Sequence, residues 1–151
     1  MDTPFSTLTL MQFCWAFLSI TGFCIRVNLK SWKILYIALG AGLNWAIYLI
    51  VLHFTNSLLL SVFISTILVC SYSEIVARLC FIPVSVFVTC VIIPLVPGSS
   101  LFYAMQAYIS GDRVLASHHI AQVLMISGTI AMAIAIVASV TNLSQRLINR
   151  F

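Results

Sequence analysis

The stretch Val91-Ile92-Ile93-Pro94-Leu95-Val96-Pro97-Gly98-Ser99-Ser100-Leu101-Phe102-Tyr103 decides how this chain is read. It lies inside a long apolar run, yet two prolines three residues apart each remove a backbone donor and clash with the preceding turn. Gly98 permits backbone conformations that other residues avoid. Ser99 or Ser100 can cap a new helix by accepting a bond from its first free N–H groups. The stretch therefore predicts a discontinuous helix, with unpaired carbonyls before the break and a half-helix N-terminus after it. In hydrocarbon such groups persist only where protein buries them or a water-filled cavity solvates them. Breaks of this kind hold substrates in transporters: the positive helix end draws a carboxylate and the unwound carbonyls hold a cation or an ammonium group. An amino acid carries both charges. The plainer reading of the same residues is a proline kink.

Composition places the break in a membrane. The 151 residues are 62% hydrophobic and 7% charged, with mean hydropathy +1.16, whereas soluble domains carry about 25% charged residues. Seven basic and three acidic side chains cannot cover a water-soluble globule of this length. The net charge of +4 is not interleaved with aromatic residues on a polar segment, so no nucleic-acid partner is expected. Asp2 and a long first apolar run do not resemble a cleaved leader.

A spanning helix needs about 20 apolar residues, and five segments reach that length: 8–25, 32–52, 57–79, 81–108 with the break inside it, and 120–142. The expectation is one all-α transmembrane domain over 1–151, a polytopic membrane protein with five transmembrane helices, the fourth discontinuous at Pro94 and Pro97-Gly98. Lys and Arg concentrate on the cytoplasmic side. With the N-terminus outside and the C-terminus cytoplasmic, Arg26, Lys30, Lys33, Arg78, Arg146 and Arg150 fall inside and only Arg113 outside. Small residues four apart (Ala38, Gly42 and Ala46; Ser57, Ser61 and Ser65; Ser127, Ala131, Ala135 and Ser139) form faces along which helices approach closely in lipid.

Few other residues invite chemistry. Glu74, the only glutamate, stands four residues before Arg78; it reads either as a coupling or cation-binding carboxylate or as half of an interfacial ion pair. Asn44, mid-span, needs a partner across a helix interface or in a cavity. His118 and His119 are adjacent and point in different directions, which suits interfacial solvation better than a metal. Cys14, Cys24, Cys70, Cys80 and Cys90 sit in or beside apolar runs without ligand spacing and read as packing residues. With no nucleophile–base set, phosphate loop or paired carboxylates, neither an enzyme nor a bound cofactor is expected.

The run Ile92-Ile93-Pro94-Leu95-Val96-Pro97-Gly98 with Leu101, Tyr103 and Ala104-Met105 resembles the signature of the threonine/serine exporter family. More narrowly, it resembles the small membrane subunit that corresponds to the C-terminal membrane half of fused exporters. Glu74-Ile75-Val76-Ala77-Arg78, followed by Pro83-Val84-Ser85-Val86-Phe87, is similar to another family segment, and the likeness extends from residue 22 to the fifth span. Ser99-Ser100 depart from the family's usual small residues. The resemblance implies secondary export of threonine, serine or a related small carboxylate across the cell membrane, together with a larger membrane subunit as partner. Substrate-binding residues would be Pro94, Pro97, Gly98, Ser99, Ser100, Tyr103 and Asn44, with Glu74 for coupling. The alternatives are a non-transporting membrane scaffold or assembly subunit and a channel-like homo-oligomer.

Overall fold

The computed structural model describes residues 7–29, 32–81 and 83–148, with side chains described for 11–29, 32–81 and 83–144. Asp2, Lys30 and Arg150 lie outside the described residues, as does the side chain of Arg146. Six α-helices follow in order: α1 (Thr7–Arg26), α2 (Lys33–Thr55), α3 (Leu58–Leu79), α4 (Val84–Ile92), α5 (Gly98–Ile109) and α6 (Arg113–Ile148). A 3-10 turn, Ile93–Leu95, separates α4 from α5.

Helices are what such a composition must form, because lipid offers no partner for a free backbone group. The polar side chains obey the same constraint. Thr66 Oγ1 donates to the Val62 carbonyl at 2.7 Å, Ser73 Oγ to Val69 at 2.7 Å and Thr21 Oγ1 to Phe17 at 2.8 Å. Each hydroxyl is thus satisfied one turn back on its own helix. Large apolar side chains point outward instead of inward: Leu101, Phe102, Leu124 and Met132 are 60–67% exposed. In water, patches of that kind would drive aggregation; here they form the lipid-facing surface.

Among the described residues three helices are long and apolar enough to cross a membrane, Lys33–Thr55, Leu58–Leu79 and Arg113–Ser144. Val84–Leu95 and Gly98–Ile109 form a pair bent by 55° at the break and make a fourth if they count as one span. The expected number was five. The remaining segment, α1, is a 20-residue helix packed along α2.

Close packing rests on glycines in α2. A Cβ on Gly42 would come within 2.6 Å of the Phe13 ring of α1, and one on Gly40 within 2.8 Å of the Tyr72 ring of α3. Backbones that near to a neighbour's ring make dispersion contacts that a larger residue would prevent. Around them lies one buried cluster, drawn from Ile20 and Cys24 of α1, Ile37 and Ala41 of α2, Val69 of α3, and Phe87 and Cys90 of α4. A second cluster joins Val62 and Cys70 of α3 to Ile126, Ile130 and Val137 of α6, with Ile92 and Leu95 from the break.

Helices α3 and α6 run parallel. The start of α3 (Leu58, Val62) meets Gln122 and Ile126, and its end (Glu74, Arg78) meets Val137 and Thr141. Chain connectivity then requires the chain to return to the level at which α3 began before α6 starts, and α4 with the 3-10 turn brings it there, since Pro94 and Leu95 stand beside Leu58 and Val62. A re-entrant loop from the end of α3, entering and leaving on one side, would set α6 antiparallel to α3.

Candidate functional site

The break is built by its two prolines. Pro94 has no N–H, so the Cys90 carbonyl loses the donor that an α-helix would offer it four residues on, and α4 tightens into the 3-10 turn. The chain then leaves the helix: Val96, which precedes Pro97, is extended at φ −60°, ψ 129°, as the residue before a proline tends to be. Pro97 itself has φ −75° and ψ 57°, and Gly98 N–H donates to the Val96 carbonyl at 2.7 Å. Those are the marks of an inverse γ-turn, a common way to start a new element.

Two expectations at this point are corrected. Helix α5 begins at Gly98, with Pro97 in the capping position and no side-chain cap. Ser99 and Ser100 therefore lie within the first turn and cap nothing. Gly98 is absent from the positive-φ positions, which include Gly111, and a Cβ added to it would meet nothing within 4 Å. The γ-turn at Pro97 redirects the chain before Gly98 is reached, so the glycine's special freedom is not needed.

Beside the break is a cavity of about 210 Å³. Pro94, Pro97, Ser99 and Ser100 line it from the break, and Tyr48 of α2 and Gln122 of α6 also line it. Cavities for drug-sized ligands measure about 300–1,000 Å³, so this one suits a molecule of few heavy atoms. Ser99 and Ser100 sit where the first N–H groups of a helix lack intrahelical acceptors, and the helix end is electropositive. Free N–H groups at such a corner can donate to a carboxylate, and Tyr48 and Gln122 line the same cavity.

The remaining expected residues are elsewhere. Gly98 adjoins the cavity in sequence without lining it. Tyr103 is half-exposed on α5, with its ring 5.7 Å from Phe102 and 5.8 Å from His119. Asn44 is fully buried behind the break. Its Nδ2 donates at 3.0 Å to the Val91 carbonyl, one of the last-turn carbonyls that a helix leaves without a partner. Its Oδ1 is buried with no partner. Glu74 is remote from the break, holding Arg78 Nη2 at 2.8 Å on a separate cleft.

Tyr48, Gln122 and Trp45 were not singled out by the sequence. Trp45 also lines the cavity; it packs 5.3 Å from the Tyr48 ring and donates its indole N–H to Gln12 Oε1 of α1 at 3.3 Å. One signal was present: Tyr48 is four residues past Asn44, so both occupy one face of α2. The position of Gln122 at the same cavity as Ser100 depends on how α6 folds back, which no local pattern carries.

Lipid-facing helices around a broken span, with a small polar cavity at the break, define a polytopic α-helical membrane protein of transporter type. Residues 12–140 match the family model described as Threonine/Serine exporter, ThrE, and the chain belongs to the threonine/serine exporter family. Comparison with curated proteins and with solved structures gave no match.

Proposed function

We propose that this chain is the small membrane subunit of a secondary exporter for threonine, serine or a related small carboxylate, and that the cavity at the break is where the substrate sits. The carrying observation is the cavity itself, which brings the N-terminal turn of α5 together with Tyr48 of α2 and Gln122 of α6. In this reading the chain is a single transmembrane domain of five spans, α1 included, with its N-terminus outside the cell membrane. Glu74, the expected coupling carboxylate, acts from the other cleft. The partner is a larger membrane subunit of the same family. Support comes from α6, where Ser127, Ala131, Ala135 and Ser139 are all exposed, so this close-approach face is left unused within the chain.

The test is efflux of radiolabelled threonine and serine from liposomes under an imposed proton gradient, with and without the larger subunit. Efflux is expected only with both chains. Ser100→Leu, which fills the cavity, abolishes efflux without preventing insertion. Ser100→Ala raises KM by about tenfold, the size of one lost hydrogen bond to a charged group. Efflux unchanged in Ser100→Leu removes the cavity from the path. Efflux from this chain alone points to a homo-oligomeric carrier, and no efflux under any condition, with insertion verified, to a scaffold.

A further inference from the structure

A second hollow, a groove of about 330 Å³, lies where α1 meets the break. Gln12, Trp15, Ala16, Ser19 and Ile20 line it from α1, and its surface is mostly apolar. Two residues line both this groove and the cavity at the break, Trp45 of α2 and Pro94. The two spaces therefore meet at these side chains. The Pro94 ring is part of the backbone turn and cannot be moved aside without unmaking the break. Trp45 is the part of the partition that a change of side chain alone can remove.

The indole is held from both spaces. Its N–H donates at 3.3 Å to Oε1 of Gln12, which lines the groove. Its ring stands 5.3 Å from that of Tyr48, which lines the cavity, and both rings pack on the cluster that joins α3 to α6. An indole whose N–H is bonded and whose face is packed is a fixed wall, not a loose flap. Such a wall controls length. The cavity measures about 210 Å³, and an amino acid with its carboxylate at the start of α5 has only the rest of that space for its side chain. We infer that Trp45 limits the substrate to small amino acids, closing off a groove that would otherwise take larger apolar side chains. A hydroxymethyl or hydroxyethyl group ends before the indole; an isobutyl or benzyl group needs the space behind it. The inference rests on the exporter reading and deepens it, since it assigns the size limit to one side chain outside the broken span.

The test is efflux from liposomes that hold the full chain and the larger subunit, loaded with radiolabelled threonine, leucine or phenylalanine, and with sucrose to report leak. The unaltered pair is expected to export leucine and phenylalanine about tenfold less well than threonine, or worse, the scale on which an apolar pocket discriminates by size. In Trp45→Ala the leucine-to-threonine ratio of kcat/KM rises by about the same tenfold, with no added sucrose leak. Trp45→Leu, which leaves a smaller void, shifts the ratio in the same direction and carries the test where Trp45→Ala does not insert. Ala16→Phe, added to Trp45→Ala, fills the groove from α1 and removes the gain for leucine while threonine is still exported. A ratio unchanged in both Trp45 variants would overturn the role of Trp45 and leave the exporter reading standing. The same holds for loss of threonine export in both variants with insertion verified, for a leucine gain that Ala16→Phe does not remove, and for an unaltered pair that exports leucine as well as threonine. Failure of the unaltered pair to export threonine or serine would instead overturn the exporter reading.

Discussion

At the scale of single residues, Asn44 carries the most structural information. Its amide N–H closes one open carbonyl of the broken span at 3.0 Å, while its carbonyl oxygen is buried and unpaired. Asn44→Leu leaves the buried Val91 carbonyl without its donor, a cost of about 1–3 kcal/mol, partly offset by removal of the unpaired Oδ1. The thermal midpoint in detergent should therefore fall modestly, whereas export should fall at least tenfold once α4 is no longer held to α2 at the break. A large loss of stability with normal export per folded molecule would reduce Asn44 to a core residue. The sequence exposed Asn44 because an amide in mid-span must find a partner; whether that partner was a ligand or a carbonyl depended on the neighbouring helix. Pro94 and Pro97 were legible for a covalent reason, since neither has an N–H in any context. The backbone role of Gly98 and the capping role of Ser99 or Ser100 were misread because the γ-turn at Pro97 redirects the chain one residue earlier.

At the scale of elements, the bend between α4 and α5 is 55°, and its cause is local. Pro94→Ala returns an N–H to the Cys90 carbonyl and removes the ring clash, so the 3-10 turn should relax toward α-helix. Spin labels at the exposed positions Thr89 and Met105 would report this. Their backbone separation should grow toward the roughly 24 Å that 16 residues span in a straight helix, and the polar cavity should close with it. An unchanged distance would place the cause of the bend in the packing against α2 and α6. A different element defied its pattern: α6 begins at Arg113, seven residues before the apolar run that suggested residue 120. Asp112 Oδ1 accepts the Leu115 N–H at 3.0 Å, and that cap lets Ser117, His118 and His119 continue the helix. Asp followed by a polar turn looks like a loop until the cap is seen to be engaged.

At the scale of the whole molecule, orientation is the sharpest expectation. In the proposed five-span arrangement basic residues cluster at the cytoplasmic ends, and the turn between α5 and α6, Ser110–Asp112, would lie outside. A periplasmic phosphatase reporter inserted at Gly111 should be active and one at Phe81 inactive, with the reverse for a cytoplasmic fluorescent reporter. Activity of the phosphatase at both points would mean that α4 and α5 do not cross together, contrary to the parallel course of α3 and α6. Fold class was legible from composition alone, since ten charged groups leave no other solvent but lipid. Which helices neighbour one another was not, because small-residue faces on α2, α3 and α6 look alike in sequence. Only the structure separates them: Ala38, Gly42, Ser61 and Ser65 are buried within the chain, and the face of α6 is open.

Helix α6 has 36 residues and so extends for about 54 Å, well beyond a hydrocarbon core of about 30 Å. It lines the cavity at the break with Gln122 and the cleft of Glu74 with Thr141, and Ile130 is seated against α3 between them. By the 1.5 Å rise per residue, Gln122 lies about 12 Å above that seat and Thr141 about 16 Å below it. Such a rod is a lever with a central fulcrum and arms of comparable length. A tilt of about 10° about Ile130 would move each arm by roughly 2–3 Å, in opposite senses, for arms set by that rise. Whatever tilts α6 away from α3 at one end of their contact must press it inward at the other.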